Sequence, residues 1–101
     1  MESLKKVPDS KRFSVLYDLN ECYFCGRPNP EKHEIFFGRN RERSKSYGYV
    51  VGLCNEHHTG NQSPHMNADI DRFFKWWAQK HYEENHGTRE DFIKEFGKSY
   101  I

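Results

Sequence analysis

Short apolar stretches in the first half of the chain predict β-strands. Apolar and polar residues alternate over 13–17, which predicts a strand that leads into the first cysteines. The stretch 34–37 predicts a second strand, which ends at Gly38. The apolar residues of 47–53 predict its partner in a β-hairpin.

The second half of the chain has the apolar spacing of helices. Asn67 is a good N-cap for a long helix, and Thr88 with Asp91 resembles a capping box that begins a short helix ended by Gly97. Residues 100–101 are expected to fold back. The apolar stripe of the long helix is expected to form core rather than to stack on a cofactor. It comprises Ile70, Phe73, Phe74, Trp77 and Tyr82, and the opposite face carries Asp71, Lys75 and Gln79.

Length and composition indicate one small domain with a thin hydrophobic core. The chain has 101 residues, of which 35% are hydrophobic. Such domains usually need a disulfide or a metal. The number of cysteines is three, which is odd and so disfavours a framework of disulfides. The N-terminus leads into no apolar signal segment. The longest apolar run, 47–53, is too short to cross a bilayer. We therefore expect no membrane partner and a reducing, cytoplasmic location with thiolates available to metal.

Two pairs of soft ligands have the spacing of a zinc site. Cys22 and Cys25 enclose two residues, and so do Cys54 and His57. This spacing allows two turns of the chain to hold one tetrahedral zinc ion. His58 is the local alternative to His57 as the fourth ligand. Further histidines, among them His33, have no place in a closed structural site and suggest a second function.

Net charge is only +1, but cations are concentrated in two segments. One is a basic N-terminal arm over 1–12, before a domain that spans 13–101. The other lies between the two predicted hairpin strands. Clustered guanidinium groups suit contact with the phosphates of DNA, although a solvated hairpin loop is an equal alternative from this segment alone. The second segment contains Arg39, Arg41, Arg43 and Lys45.

The order of these motifs resembles the HNH, or ββα-metal, nucleases. The resemblance covers residues 13–101 and includes the Cys-x-x-Cys pair, the string His33-Glu34-Ile35-Phe36-Phe37-Gly38, a basic segment, a strand ending at Cys54, and the pair His57-His58. The chain is especially similar to small HNH proteins encoded by phages and prophages. The resemblance implies a small zinc-stapled α+β fold with a ββα-metal core, a long amphipathic helix and a short C-terminal helix.

The resemblance also implies two metal sites with different roles. A structural zinc would be bound by Cys22, Cys25, Cys54 and His57. A catalytic divalent cation, such as Mg²⁺ or Mn²⁺, would be bound by His33, His58 and His65 beside the scissile phosphate. In the family, a base activates water for attack on phosphorus while the cation stabilises the developing charge.

The roles of the catalytic residues stay open at this point. His33, Glu34 and His58 are expected to be catalytic, with His33 as ligand and Glu34 as base, or with His33 as the base. The asparagine of the family name has no clear counterpart before Cys54, which leaves Asn40 or Asn55 to brace the hairpin.

Two functions follow from this reading. The first is a DNA endonuclease or nickase, acting alone or with phage packaging or recombination proteins. The alternative is a zinc-binding nucleic-acid or adaptor module without catalysis.

Overall fold

A pair of short antiparallel strands lies at the centre of the fold. The computed structural model describes residues 6–60 and 62–101. Strand β1 (Glu31–Glu34) pairs with β2 (Val50–Leu53), and His33 lies opposite Val51. The backbone N–H of Ile35 extends the pairing by donating to the Tyr49 carbonyl over 3.0 Å. The predicted α+β class and antiparallel strand pair are therefore confirmed.

The connection between the strands is helical, not an open hairpin loop. A 3-10 turn (Gly38–Asn40) leads into α1 (Arg41–Tyr47), which ends at Gly48 with a φ of 78°. The buried Ser44 hydroxyl accepts from the Phe36 N–H over 3.1 Å and donates to the Tyr49 carbonyl over 2.6 Å. Ser44 thus holds α1 against the two chain segments that flank it.

Three more helices follow β2: α2 (Asn55–Thr59), α3 (Ala68–Asn85) and α4 (Arg89–Phe96). The predicted N-cap of α3 is confirmed, because the Asn67 side chain accepts from two backbone N–H groups of the first turn. The predicted capping box of α4 is also confirmed, as is its end at Gly97. Helix α2 was not predicted, and it carries the pair His57-His58.

The core lies between the sheet and the faces of α3 and α4 that pack against it. It is mainly aromatic, because few aliphatic residues are present and each aromatic ring buries a large apolar area. Phe36 contacts Phe96 at 4.4 Å between ring centroids, and Phe92 stacks on Phe96 at 4.7 Å. The fully or almost fully buried members are Ile35, Phe36, Tyr49, Val51, Leu53, Phe74, Ala78, Tyr82, Phe92 and Phe96.

Two residues of α3 lie on a different face from the one predicted. Gln79 was assigned to the polar face but is fully buried. Its side chain donates to Glu83 and Ser99 and accepts from the backbone N–H of Tyr100 over 2.7 Å. These bonds hold the C-terminus against α3, as predicted, and explain how an amide is buried at low cost. Phe73 was assigned to the core but is 40% exposed.

The predicted strand boundaries need correction. Residues 13–17 form no strand, because the Ser14 hydroxyl accepts from the backbone N–H groups of Leu16 and Tyr17 and so bends the chain. The other two predicted strands are shifted. The first begins at Glu31 rather than at Glu34, and the second begins at Val50 because Tyr47 ends α1.

Candidate functional site

The structure brings the four predicted zinc ligands together. One ligand atom from each of Cys22, Cys25, Cys54 and His57 lies within 4.8 Å of every other. The Cys25 and Cys54 sulfurs are 3.7 Å apart, far longer than a disulfide bond. His57 Nδ1 lies 3.6 Å from the Cys22 sulfur and 3.1 Å from that of Cys54.

These distances fit one tetrahedral metal ion. Zinc–sulfur bonds of about 2.3 Å place two thiolates of a tetrahedron about 3.8 Å apart, close to the 3.7 Å between Cys25 and Cys54. Three thiolates and one imidazole are also a common donor set for structural zinc. The group could therefore hold a structural metal such as zinc.

Backbone turns position these ligands. The Gly26 N–H donates to the Cys22 carbonyl over 2.8 Å, and Gly26 has a φ of 75°, so the first pair lies on a tight turn. The Tyr23 N–H donates to the Gly52 carbonyl over 2.8 Å, which attaches this turn to β2. Cys54 is the N-cap of α2, so the first turn of the helix brings His57 back beside it.

The surroundings of Cys22 favour the thiolate form of its side chain. Burial opposes its ionisation, but backbone N–H groups of Cys54, Cys25 and Phe24 lie close enough to the sulfur to stabilise the thiolate. The effect of these N–H groups outweighs that of burial, and the pKa of Cys22 is lowered to about 6. The thiolate is the form that binds metal, so this environment favours the metal-bound state.

A second cluster contains the three remaining candidate ligands, His33, His58 and His65. Their ring centroids form a nearly equilateral triangle with sides of 5.1, 5.1 and 5.3 Å. One nitrogen of each ring lies within 4.8 Å of the others. His33 is buried on β1, His58 is half-buried on α2, and His65 is exposed in the segment before α3. The cluster thus lies at the surface, with its deepest ligand in the sheet.

His33 is held in its neutral form. Burial removes water from the ring, and His58, His65 and Lys75 lie near enough to oppose a positive charge. Together they lower the pKa of His33 to about 3. Its Nε2 atom is buried and has no hydrogen-bond partner among the described residues. A buried polar atom without a partner is uncommon and calls for an explanation, such as a ligand that is bound in use.

Glu31 is a residue of this site that the sequence did not reveal. Its carboxylate hydrogen-bonds Nδ1 of His58. With Nδ1 engaged, the other ring nitrogen of His58 is left to bind a metal, and a carboxylate partner makes it a stronger ligand. Side chains two apart on a strand share a face, so Glu31 could have been associated with His33, but nothing local associates it with His58.

Glu34 does not join the histidines. Adjacent residues of a strand point to opposite faces, and the Glu34 carboxylate lies 2.8 Å from the Arg12 guanidinium and 3.3 Å from that of Arg41. No hydrogen bond or ion pair connects it to the histidine cluster within residues 6–60 and 62–101. The structure thus places Glu34 in an ion-pair network on the other side of β1.

The same network includes part of the predicted DNA-binding segment. Asp9 pairs with Arg41 and with Lys45 at 2.9 Å, and these two cations lower the pKa of Asp9 to about 2. Lys45 does not fit a solvated loop, because its side chain is only 3% exposed. Arg39 is exposed and Arg43 is half-buried.

The described part of the basic N-terminal arm is attached to the rest of the chain. Asp9 and Arg12 belong to the ion-pair network, and Val7 is buried. The first five residues of the predicted arm lie outside the described residues. Residues 6–12 therefore supply the acidic Asp9 to the cations of α1 and the basic Arg12 to Glu34 of β1.

None of the helices within residues 6–60 and 62–101 combines the length and apolar character that a membrane span requires. Comparison with known proteins adds no identification. No family model matches the chain, and comparisons with curated proteins and with solved structures gave no significant match.

Proposed function

We propose that the protein is a metal-dependent endonuclease or nickase of the HNH type, which hydrolyses phosphodiester bonds of DNA. The observation that supports this proposal is the second cluster of histidines, separate from the Cys3His group. His33, His58 and His65 meet at the surface, and His33 Nε2 is buried without a partner among the described residues. A structural zinc site alone does not require this cluster.

The donor set suits a divalent cation. Three imidazole nitrogens bind divalent transition metals well, and a site of this kind leaves positions open for water and substrate oxygens. A cation bound there would supply positive charge at the scissile phosphate. His58, oriented by Glu31, would keep a fixed ligand direction, and neutral His33 is able to bind at neutral pH without first losing a proton.

The general base is proposed to be His33 or Glu34. Each assignment has an obstacle: the low pKa of His33 makes its ring a weak proton acceptor near neutral pH, and Glu34 is bound to two guanidinium groups that would have to release it. Glu34→Gln separates the two roles. Severe loss of cleavage with folding intact would assign the base to Glu34, and mild loss would assign it to His33.

DNA contact is proposed for the basic residues between the strands. Arg39 is exposed and Arg43 is half-buried, and neither has an acidic partner within ion-pairing distance in the described part of the chain. Arg41 and Lys45 already have carboxylate partners. Phosphate contacts are therefore expected chiefly from Arg39 and Arg43.

The proposal is tested by incubating supercoiled plasmid with the protein and Mg²⁺ or Mn²⁺ and measuring its conversion to the open-circular or linear form. His33→Ala should decrease nicking by roughly 10²–10⁴-fold, the usual effect of removing a catalytic base. Zinc content should stay unchanged, because His33 lies outside the Cys3His group. His86→Ala is the matched control, since it replaces an exposed histidine outside both clusters.

Absence of cleavage of plasmid, branched and single-stranded DNA by the wild-type protein, with Mg²⁺, Mn²⁺, Ni²⁺ or Zn²⁺ and with phage packaging or recombination proteins added, would reject the enzyme. DNA binding without cleavage would then favour the alternative, a zinc-binding nucleic-acid or adaptor module.

A further inference from the structure

An open groove lies on the outer face of α3. It has a volume of about 280 Å³ and is lined by Asp69, Arg72, Phe73, Trp76 and Tyr100. Four of these residues lie on one face of the helix, at positions that repeat every three or four residues. Tyr100 closes one side, because the C-terminus folds back along α3. Neither metal-ligand cluster includes any of them.

The aromatic rings in the groove are exposed although the fold does not need them there. Phe73 is 40% and Trp76 42% exposed, and their rings stack at a centroid distance of 6.4 Å with an interplanar angle of 25°. The side of α3 that faces the core already carries the buried residues Phe74, Ala78 and Tyr82. Two large neighbouring rings at the surface are typical of a binding surface.

Three cations and two carboxylates lie at or beside the same groove: Asp69 lines it, and Lys75 is paired with Asp71 at 2.8 Å. Lys98 and Lys75 place their ammonium groups 5.1 and 5.5 Å from the centre of the Tyr100 ring. Arg72 lines the groove itself. Among residues 6–60 and 62–101, neither Arg72 nor Lys98 has an acidic partner within ion-pairing distance. An anionic ligand that also offers a flat ring would complement both the charge and the aromatic surface.

The groove is connected to the histidine cluster through Lys75. The Lys75 ammonium lies 4.6 Å from the centre of the Phe37 ring as well as 5.5 Å from that of Tyr100. The Phe37 ring is 43% exposed and contacts His65 at 5.2 Å and His33 at 6.0 Å. A line of aromatic and cationic groups therefore leads from the candidate metal site to the groove.

We propose that this groove binds an unpaired base of a DNA strand, stacked on Trp76, while a nearby phosphate of the same strand lies at the histidine cluster. The proposal rests on the proposed nuclease function and specifies its substrate as DNA with unpaired bases. Stacking on aromatic side chains together with a cationic path for the backbone is the usual way in which proteins bind single strands. A base inside an intact duplex has no free face to stack.

Binding of a single-stranded thymidine oligonucleotide tests the proposal. Fluorescence anisotropy of the labelled oligonucleotide gives its affinity in the absence of Mg²⁺ and Mn²⁺, so that no cleavage interferes. Trp76→Ala should weaken binding by about 5- to 150-fold, the range that corresponds to loss of one stacked base. Trp76→Phe should retain most of the affinity, and binding to a blunt duplex should not change.

Trp77→Phe is the matched control, because Trp77 is half-buried against Tyr23 at a centroid distance of 5.5 Å and lies outside the groove. Folding of each variant is checked by thermal unfolding. The proposal is overturned if Trp76→Ala binds the single strand as wild type does. It is also overturned if the variant changes only the oligomeric state in sedimentation, since a second copy of the chain would then be the occupant.

The two proposals can fail separately. Nicking by wild-type protein together with unaltered oligonucleotide binding by Trp76→Ala would reject the stacking site and keep the nuclease. A stacking effect in a wild-type protein that never cleaves DNA would reject the nuclease and keep the binding site.

Discussion

Removal of the structural metal should unfold most of the domain. The Cys3His group crosslinks two segments 29 residues apart, from Cys25 to Cys54. As a covalent crosslink, a loop of this length would stabilise a protein by about 3–4 kcal/mol through loss of entropy in the unfolded chain. Bonds to zinc add to this value, and folded domains have a total stability of only about 5–15 kcal/mol. A metal ion bound by this group would thus account for a large share of the total stability.

The local structure around the first cysteine pair supports this magnitude. Residues 12–30 contain no helix or regular strand; an isolated bridge joins Glu21 and Pro28, and backbone hydrogen bonds from Val15 to Gly48 and from Tyr23 to Gly52 attach the segment to the rest of the chain. Phe13, Val15 and Tyr17 are each about 40% exposed. Leu16 and Tyr23 pack against the core, so apolar burial would hold this segment only in part once the metal is removed.

Urea unfolding followed by circular dichroism and tryptophan fluorescence measures the effect, with zinc content determined on the same samples. Cys25→Ala and chelator-treated wild type should both lose zinc and shift to a much lower midpoint. His57→Ala should do the same, whereas His58→Ala, the neighbouring control, should keep its zinc. A metal-free protein with the wild-type midpoint and slope would refute the reasoning, and zinc loss from His58→Ala alone would make His58 the fourth ligand.

Two further predictions concern single residues. The His33 ring should stay neutral far below the usual histidine pKa of 6.5, because its pKa in the folded state is about 3; protonation then favours unfolding, so stability should fall as pH decreases from about 6.5 towards 3. A ring signal assigned to His33 that titrates near pH 6.5, in NMR spectra of the zinc-loaded protein without other metals, would contradict this prediction. Gly48→Ala should lower the urea midpoint more than Gly26→Ala, since both glycines have positive φ but only at Gly48 would a Cβ meet a neighbouring ring, at 2.5 Å. Equal midpoints would show that the ring moves aside freely.

Local chemistry allowed several features to be predicted from the sequence. The ligand pairs Cys22-x-x-Cys25 and Cys54-x-x-His57 each lie within one turn of the chain, so their spacing already sets their geometry. The caps at Asn67 and Thr88 depend on hydrogen bonds to backbone groups two or three residues away. Such bonds form in any fold that contains these helices.

The remaining features depend on contacts between distant segments. His33, His58 and His65 meet only because β1, α2 and the segment before α3 pack together, and the bond from Glu31 to His58 spans 27 residues. The sequence identified these histidines through resemblance, but it gave no information on their burial. The neutral state of His33 follows from that burial.

Tertiary packing also decided which charged and aromatic side chains are free to bind a ligand. Arg41 and Lys45 resemble Arg39 in the sequence, but the fold brings Asp9 to them from 32 and 36 residues away and leaves Arg39 exposed. Phe73 has the helical spacing of a core residue, yet the sheet and α4 cover only the face that carries Phe74. A residue's type and spacing state what it can do, whereas its neighbours in space determine whether water, protein or a ligand meets it.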